Sequence, residues 1–439
     1  MSGVEIGFIG IALMLAAVCM GVHIGIALIA TSMICVTMLA NPTLAMRMAT
    51  AAANDSIRDH LFSVVPLFVL MGILVSVSNI GRDTFDVMQA LLKRLKGGLA
   101  ISTVGANAVF AAITGISIAS ASVFTRVAVP EMIRHGYDKR LAVGVVAGSS
   151  VLGMLIPPSL LFIVFGVIAQ ESVGRLFIAG IGPGLLLTVV FIATIAIIVR
   201  LKPVIQPVSN LVDSETPSET TYSLISKGLP IFALIFLVLG GIYGGIFTPT
   251  EAGAVGSAGA LVIALIKRNL SLKQFWQVLI ETGQVSVSIL FLIMAASLYS
   301  RMLAFTGVPT QIGEFITGQG LGPYGFLMIY ILILLLLGAI IDSVSIMLIV
   351  LPIVLPMIGI YQFNLVWFGV ITVIAVEIGL LTPPFGISVF TVKASLEDKS
   401  ITLGDIFKGT IPFILGMLFV LMAVVAFPQI SLFFVQALN

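Results

Sequence analysis

Charged residues are scarce in this sequence, since Asp, Glu, Lys and Arg together make up only 9% of its 439 residues. A soluble globular domain has roughly a quarter of its residues charged, so the composition excludes an ordinary soluble protein. The 21 Lys and Arg residues against 19 Asp and Glu residues leave no basic excess for binding nucleic acid. Both cysteines, Cys19 and Cys35, lie in apolar stretches, which excludes a disulfide framework and a thiolate metal cluster.

Motifs of catalysis are also missing. The sequence contains no H-E-x-x-H motif and no glycine-rich loop that ends in G-K-[ST]. Its three histidines, His23, His60 and His135, lack the spacing of metal ligands. We therefore predict that the protein is not an enzyme, has no cofactor or transition metal, and draws its energy from an ion gradient.

Apolar residues are abundant, at 59% of the chain with a mean hydropathy of +1.22. Because a membrane crossing needs about 20 apolar residues, the sequence predicts an all-α polytopic membrane protein. The first apolar stretch has no basic segment or cleavage site, so we interpret it as a span and not as a signal peptide. The simple candidate spans are 4–22, 25–40, 61–79, 176–199, 229–247, 253–266, 283–302 and 406–430.

Two segments, 99–134 and 325–360, have a length that fits neither one crossing nor two. Each would be about 54 Å long as a helix, whereas the hydrocarbon core is about 30 Å thick. Each also has polar, flexible residues at its middle, Thr114–Ser117 in the first and Asp342–Ser345 in the second. We predict that both are re-entrant hairpins, named hairpin 1 and hairpin 2.

Two further segments, 140–170 and 366–396, contain a break at their centre. The breaks are Pro157-Pro158 and Pro383-Pro384, each with a glycine four residues before it. Two consecutive prolines remove two amide donors, and unpaired backbone at membrane depth is tolerated only in a cavity or inside protein. A single Pro-Pro pair is compatible with a plain kink, but its recurrence favours two broken helices that form binding loops.

The hairpin and broken-helix pattern occurs twice, 226 residues apart. At this offset Ser117 matches Ser343, and Gly153 matches Gly379. With hairpins that return to their own side, each half has five crossings, so the second half is inverted. This topology places sixteen basic residues on the cytoplasmic side and four outside (Arg47, Arg58, Arg175 and Arg301), as the positive-inside rule requires. Both termini are then predicted to be periplasmic.

The predicted organisation is therefore an inverted repeat of about 5+5 transmembrane helices. Residues 1–200 form the first repeat, with scaffold helices 4–79, an interfacial helix 82–97, hairpin 1, broken helix 140–170 and helix 176–199. Residues 201–228 form a cytoplasmic linker that is rich in proline, serine and threonine. Residues 229–439 form the second repeat, with scaffold helices 229–302, interfacial segment 306–320, hairpin 2, broken helix 366–396 and helix 406–430.

Broken helix ends expose carbonyls and dipoles that can replace the hydration shell of a hard cation near the midplane. We predict ion site 1 from Thr114, Gly115, Ser117, Ser120, Ser150, Gly153 and Ile156. We predict ion site 2 from Gly338, Asp342, Ser343, Gly379, Thr382 and Phe385. We predict a substrate site between the tips from Ser120, Ser122, Arg126, Pro157, Pro158, Ser345, Pro383 and Pro384.

Several of these side chains have an alternative structural role. Ser117 and Ser343 could coordinate an ion or merely hydrogen-bond to backbone. A buried carboxylate is costly in a membrane, yet Asp342 could be a helix cap and Glu377 could pair with a neighbouring helix. Arg126 could bind a substrate carboxylate, form a salt bridge, or extend to the cytoplasmic interface.

Several motifs resemble the large membrane subunit of tripartite ATP-independent periplasmic (TRAP) transporters, the DctM-like family. They span nearly the whole chain, from about residue 5 to 430, and are Pro130-Glu131-Met132, Gly136-Tyr137-Asp138, Ile156-Pro157-Pro158-Ser159, Ala179–Gly184, Phe247–Ala252 and Thr382–Gly386.

The resemblance implies a sodium-driven importer of elevator type in the bacterial inner membrane. It implies two partners, a small four-helix membrane subunit and a periplasmic binding protein that delivers an organic carboxylate such as a dicarboxylate, a sialic acid or a sugar acid. The alternatives are a stand-alone Na⁺/dicarboxylate symporter of similar fold and a membrane scaffold subunit that transports nothing.

Overall fold

The computed structural model describes residues 1–58, 60–201, 221–320 and 322–437, and this part of the chain is helical without any strand. Most of the predicted linker 201–228 lies outside the described residues. The helices of the first half are α1 Gly3–Cys19, α2 Ile24–Leu39, α3 Pro42–Arg58, α4 Val64–Val77, α5 Ile80–Leu92, α6 Gly98–Thr114, α7 Ser117–Arg134, α8 Lys139–Ser150, α9 Leu152–Leu155, α10 Leu160–Ala169 and α11 Val173–Leu201.

The second half begins at Thr221, so residues 221–228 are helical although the sequence assigns them to the linker. Its helices are α12 Thr221–Ile235, α13 Gly241–Tyr243, α14 Pro249–Ile266, α15 Leu272–Thr306, α16 Val308–Gly318, α17 Pro323–Gly338, α18 Ser343–Ile360, α19 Leu365–Gly379, α20 Ile387–Ser395, α21 Leu403–Ala426 and α22 Gln429–Ala437. A 3₁₀ turn at His60–Ser63 precedes α4, and a π-helical turn at Phe236–Gly240 joins α12 to α13.

Within the described residues, seven helical segments are long and apolar enough to cross a membrane, or eight if the bent pair α4 and α5 counts as one span. The bend between α4 and α5 is 66°, and it falls where the sequence predicts the end of a span and the start of an interfacial helix. The chain is therefore a multi-pass membrane protein, and its described part is entirely helical in its regular structure.

Both predicted hairpins consist of two helices joined by a short tip. Helices α7 and α18 begin at Ser117 and Ser343 and end at Arg134 and Ile360, so both boundaries differ by 226 residues. Both Pro-Pro pairs interrupt a helix and both have a cis bond, Pro157-Pro158 between α9 and α10 and Pro383-Pro384 between α19 and α20.

The two tips reverse direction by different local means. Gly115 ends α6 with φ +65°, a left-handed conformation that only glycine adopts without a steric penalty. At the second tip, Asp342 caps α18, because its Oδ1 accepts a hydrogen bond from the Ser345 backbone N–H at 3.1 Å. The matching position in the first hairpin is Ile116, which has no side-chain cap.

Two further parts of the structure differ from the sequence analysis. Helix α3 occupies residues between two predicted spans; its polar composition, with Arg47, Asn54 and Asp55, hid it from a search for apolar runs. The predicted span 406–430 ends at Ala426, because Pro428 cannot donate to a continuing helix, and the short helix α22 follows.

Helices α8 and α21 cross at van der Waals contact, and hairpin 1 packs against α8. A Cβ on Gly144 would overlap the Gly409 carbonyl, so only glycine allows this approach. Two ion pairs lie at the start of α8: Lys139 pairs at 3.0 Å with Asp398, which lies between α20 and α21, and Arg140 pairs at 2.8 Å with Asp405 on α21. The first broken helix, which begins with α8, is thereby in direct contact with α21.

Candidate functional site

The tip of hairpin 1 packs directly against the first Pro-Pro loop. The Leu160 backbone N–H donates to the Gly115 carbonyl at 3.2 Å. A Cβ on Gly153 would lie 3.0 Å from the Ile116 carbonyl oxygen and from the Ser117 Cα. These contacts bring together Gly115, Ser117 and Gly153, three of the residues predicted for ion site 1.

The tip of hairpin 2 packs against the second loop in the same manner. The Phe385 backbone N–H donates to the Ala339 carbonyl at 3.1 Å. A Cβ on Gly338 would lie 2.7 Å from the Gly379 Cα, so the two main chains touch without intervening side chains. Gly338, Gly379 and Phe385, all predicted for ion site 2, therefore meet at one place.

Two serine hydroxyls near tip 1 are buried and have no hydrogen-bond partner among the described residues. They are Ser117 Oγ, with 1% of the residue exposed, and Ser120 Oγ, with 0% exposed. By contrast, Thr114 Oγ1 donates to the Phe110 carbonyl at 3.0 Å, and Ser150 Oγ donates to the Ala147 carbonyl at 2.8 Å. Buried hydroxyls are normally paired, so Ser117 and Ser120 have unused ligand capacity.

A cavity of about 10 Å³ lies where tip 1, the first loop and helix α4 meet. Its walls include Thr114, Gly115, Pro158 and Ser159, and α4 contributes Phe68 and Val69. This volume is about that of one water-sized sphere. Ile156, also predicted for site 1, follows α9 with extended backbone in the adjacent loop.

At tip 2 the polar side chains are mostly engaged with the backbone. Asp342 caps α18, and Thr382 Oγ1 donates to the Ile378 carbonyl at 2.9 Å. Ser343 is buried at the first position of α18, whereas Phe385 is 54% exposed. The structure thus shows a cap role for Asp342, one of the two roles considered above.

These oxygens fit a hard monovalent cation better than any transition metal. Hydroxyl and backbone carbonyl oxygens are the ligands that such a cation takes in place of water. Among the described residues no group of three or more His, Cys, Asp or Glu side chains could hold a metal ion.

The residues predicted for the substrate site differ in their exposure. Ser120, Ser345, Pro157 and Pro158 are buried, whereas Pro383 and Pro384 are exposed. The Ser122 hydroxyl accepts a hydrogen bond from the Ser395 hydroxyl at 3.1 Å, which joins α7 to α20.

Arg126 is exposed and lies on the wall of a much larger cavity of about 1460 Å³. This cavity is lined by α5, α7, α12 and the end of α14, and its basic residues outnumber its acidic ones. Two of the acids are paired: Asp86 with Lys227 at 2.6 Å, and Asp83 with Lys267. The charged residues of the wall are Arg82, Asp83, Asp86, Lys93, Arg126, Glu131, Arg134, Lys227 and Lys267.

Two buried polar residues near the tips are missing from the predicted sites. Asn107 is fully buried on α6 and donates from Nδ2 to Ser149 Oγ at 2.7 Å. It lies seven residues before Thr114, so helical periodicity places both on one face, a signal that could have revealed it. Glu377 on α19 is 1% exposed, and its carboxyl lies next to the Ser117 hydroxyl without the geometry of a hydrogen bond.

The architecture is that of a polytopic helical membrane protein. It is similar to the crystal structure of the Alcanivorax borkumensis YdaH transporter, with a TM-score of 0.53, 15% sequence identity, and coverage of 84% of this chain and 86% of that one. At this identity the likeness concerns the fold alone.

The family follows from the sequence comparisons. The family model described as the tripartite ATP-independent periplasmic transporter, DctM component, matches residues 11–430. The C4-dicarboxylate TRAP transporter large permease DctM of Pseudomonas aeruginosa is 32% identical over 381 residues, which cover 86% of this chain and 87% of that protein. The ectoine/5-hydroxyectoine TRAP transporter large permease UehC of Ruegeria pomeroyi is 32% identical over 378 residues and covers 86% of each chain. The chain belongs to the DctM family of TRAP transporter large subunits, which confirms the predicted resemblance.

Proposed function

We propose that this chain is the sodium-driven large subunit of a TRAP importer for an organic carboxylate. The observation that carries the proposal is the pairing of each hairpin tip with a broken-helix loop by backbone contact, Gly115–Leu160 in one half and Ala339–Phe385 in the other. Each pairing brings main-chain oxygens together inside the protein, and the first adds the unpaired hydroxyls of Ser117 and Ser120. Na⁺ is the hard cation that suits such ligands and is available as a gradient.

The transport step in this proposal is an elevator movement. Hairpins and broken helices form a core that moves against a scaffold of residues 4–79 and 229–302. Support comes from the paired helix boundaries 226 residues apart, because an odd number of crossings per half inverts the second copy. Further support comes from the backbone contacts that join each hairpin tip to a broken-helix loop within the core.

The large cavity supplies the release route in this proposal. It lies at the end of the molecule that holds Lys93, Lys227 and Lys267, which the positive-inside rule assigns to the cytoplasm. Its excess of basic residues attracts an anionic solute, and Arg126 on α7 offers a guanidinium to a carboxylate. Both termini are then periplasmic, and the membrane is the bacterial inner membrane.

Membership in a tripartite family supports two partners, a small four-helix membrane subunit and a periplasmic binding protein. The relatives named above concern a C4-dicarboxylate and ectoine, and the solute of this chain is the one that its own binding protein delivers.

Reconstitution tests the proposal. Proteoliposomes with both membrane subunits, supplied with loaded binding protein and an inward sodium gradient, should accumulate the solute. Uptake that is independent of sodium would contradict the proposed sodium coupling. Uptake without the binding protein would favour a stand-alone symporter. Absence of any solute-dependent flux, with all three components folded, would favour a scaffold subunit.

A further inference from the structure

Glu377 is the most deeply buried carboxyl among the described residues, and it has no hydrogen-bond partner there. It lies near the end of α19, is 1% exposed, and neither Oε1 nor Oε2 has a hydrogen-bond partner among the described residues. An ionised carboxylate in such surroundings is strongly unfavourable unless a positive group neutralises it. No described lysine or arginine forms an ion pair with Glu377.

The carboxyl faces the first turn of α7, although it belongs to the other half of the chain. Ser117, beside Glu377, is the first residue of α7, and its hydroxyl is also unpaired. The start of an 18-residue helix such as α7 favours negative charge. Among the described residues no backbone N–H bonds to the Glu377 oxygens, so Glu377 does not act as a cap for α7.

The two tips differ in which part of the chain supplies an acidic side chain. In hairpin 2 the acid is Asp342, which lies in the tip itself and accepts the Ser345 N–H. In hairpin 1 the matching position is Ile116, which offers no charge. Glu377 thus places a carboxyl at tip 1 from the broken helix of the second half, two residues before Gly379.

We infer that Glu377 supplies the negative charge for a monovalent cation bound at the tip of hairpin 1, together with the Ser117 hydroxyl. The inference rests on the proposed function and deepens it, because it adds to ion site 1 a ligand from the opposite half. Since Gly379 belongs to predicted ion site 2, a cation held by Glu377 also orders the end of α19 at that site. Occupancy of the two sites is then coupled.

The test uses the purified complex of both membrane subunits and has two readouts other than transport. One is equilibrium binding of ²²Na⁺, and the other is the shift of Tm with NaCl at constant ionic strength, with choline chloride as the balancing salt. Glu377→Gln keeps the shape and removes the charge, and should weaken Na⁺ binding roughly 10-fold or more. The Hill coefficient for sodium should fall toward one.

Thr372→Val is the matched control on the same helix. Thr372 is fully buried, and its hydroxyl bonds to the Phe368 carbonyl and to the Tyr330 hydroxyl, both at 2.8 Å. Loss of the Thr372 hydroxyl should lower Tm in both NaCl and choline chloride and leave the sodium affinity unchanged. If E377Q is unstable, Glu377→Asp retains the charge with a shorter reach and should bind Na⁺ more weakly than the wild type.

A double-mutant cycle with Ser117→Ala tests the shared ligand. If both groups hold one cation, the combined loss of affinity should be smaller than the product of the two single losses. Wild-type sodium affinity in E377Q, with only a lower Tm, would overturn the inference and show a structural acid. A wild-type complex that binds no sodium at all would instead overturn the proposed coupling ion.

Discussion

Gly338 and Gly379 touch main chain to main chain at tip 2, since a Cβ added to Gly338 would lie 2.7 Å from the Gly379 Cα. Neither backbone can yield without opening the tip, because the clashing atoms belong to helix ends and not to flexible side chains. We therefore expect Gly338→Ala to cost about 1–3 kcal/mol of stability and to abolish sodium-dependent uptake. Uptake in proteoliposomes and Tm in detergent would measure both effects.

Gly359→Ala is the control for this substitution, because it lies on α18 of the same hairpin and a Cβ there meets nothing within 4 Å. Alanine favours a helix over glycine, so G359A should keep uptake and hold or raise Tm. Equal damage from both variants would contradict a specific role for the contact at tip 2.

Gly72 on α4 controls how closely tip 1 approaches this helix. A Cβ on Gly72 would lie 2.9 Å from the Thr114 carbonyl oxygen. We expect Gly72→Ala to disfavour the conformation described here and to slow uptake several-fold, while the protein remains folded.

Gly283→Ala on α15 is the matched variant for G72A, because a Cβ there meets nothing within 4 Å. Initial rates of uptake and the accessibility of a cysteine placed at Ser120 would compare the two variants. An unchanged rate and unchanged accessibility in G72A would mean that tip 1 does not move relative to α4.

The Asp83–Lys267 ion pair joins α5 to the end of α14 in a largely buried position, with 15% and 18% of the two side chains exposed. Asp83→Asn leaves the partly desolvated ammonium of Lys267 without its partner, which should cost about 1–3 kcal/mol. The exposed pair Lys139–Asp398 is the comparison, since solvent screens it. Asp398→Asn should leave Tm unchanged. A larger decrease of Tm in D398N than in D83N would contradict the argument from burial.

Two roles of Asp342 can be tested separately: the cap that its side chain provides to α18, and the negative charge that it could contribute to ion binding. Asn caps helices about as well as Asp, whereas Ala costs about 1 kcal/mol. From its bond to the Ser345 N–H we expect Asp342→Asn to keep both Tm and sodium-dependent uptake, and Asp342→Ala to lower Tm. Loss of sodium dependence in D342N with a normal Tm would assign the charge to ion coupling.

The hairpins and the breaks could be predicted from the sequence, because length against bilayer thickness and paired prolines are local signals. The repeat placed Gly338 and Gly379 in the same predicted ion site. The direct contact between their main chains could not be predicted from the sequence. Glu377 could be recognised as an unusual acid, but its neighbour Ser117 is 260 residues away in the chain, and no periodicity connects them. The position of Arg126 on the wall of the large cavity depends on how α5, α12 and α14 assemble, which composition does not encode.

Five ion pairs divide into two sets by the helices that they join. Asp86–Lys227, Asp83–Lys267 and Arg301–Asp55 connect α5 to α12, α5 to the end of α14, and α15 to α3. Lys139–Asp398 and Arg140–Asp405 connect the start of α8 to the chain around α21. None of these pairs joins one set of helices to the other, so a movement of one set relative to the other would break no ion pair of the five. The barrier to that movement would then come from apolar contacts between the two sets of helices that break and re-form. The rate of the movement should therefore depend on bilayer thickness and temperature more than on ionic strength.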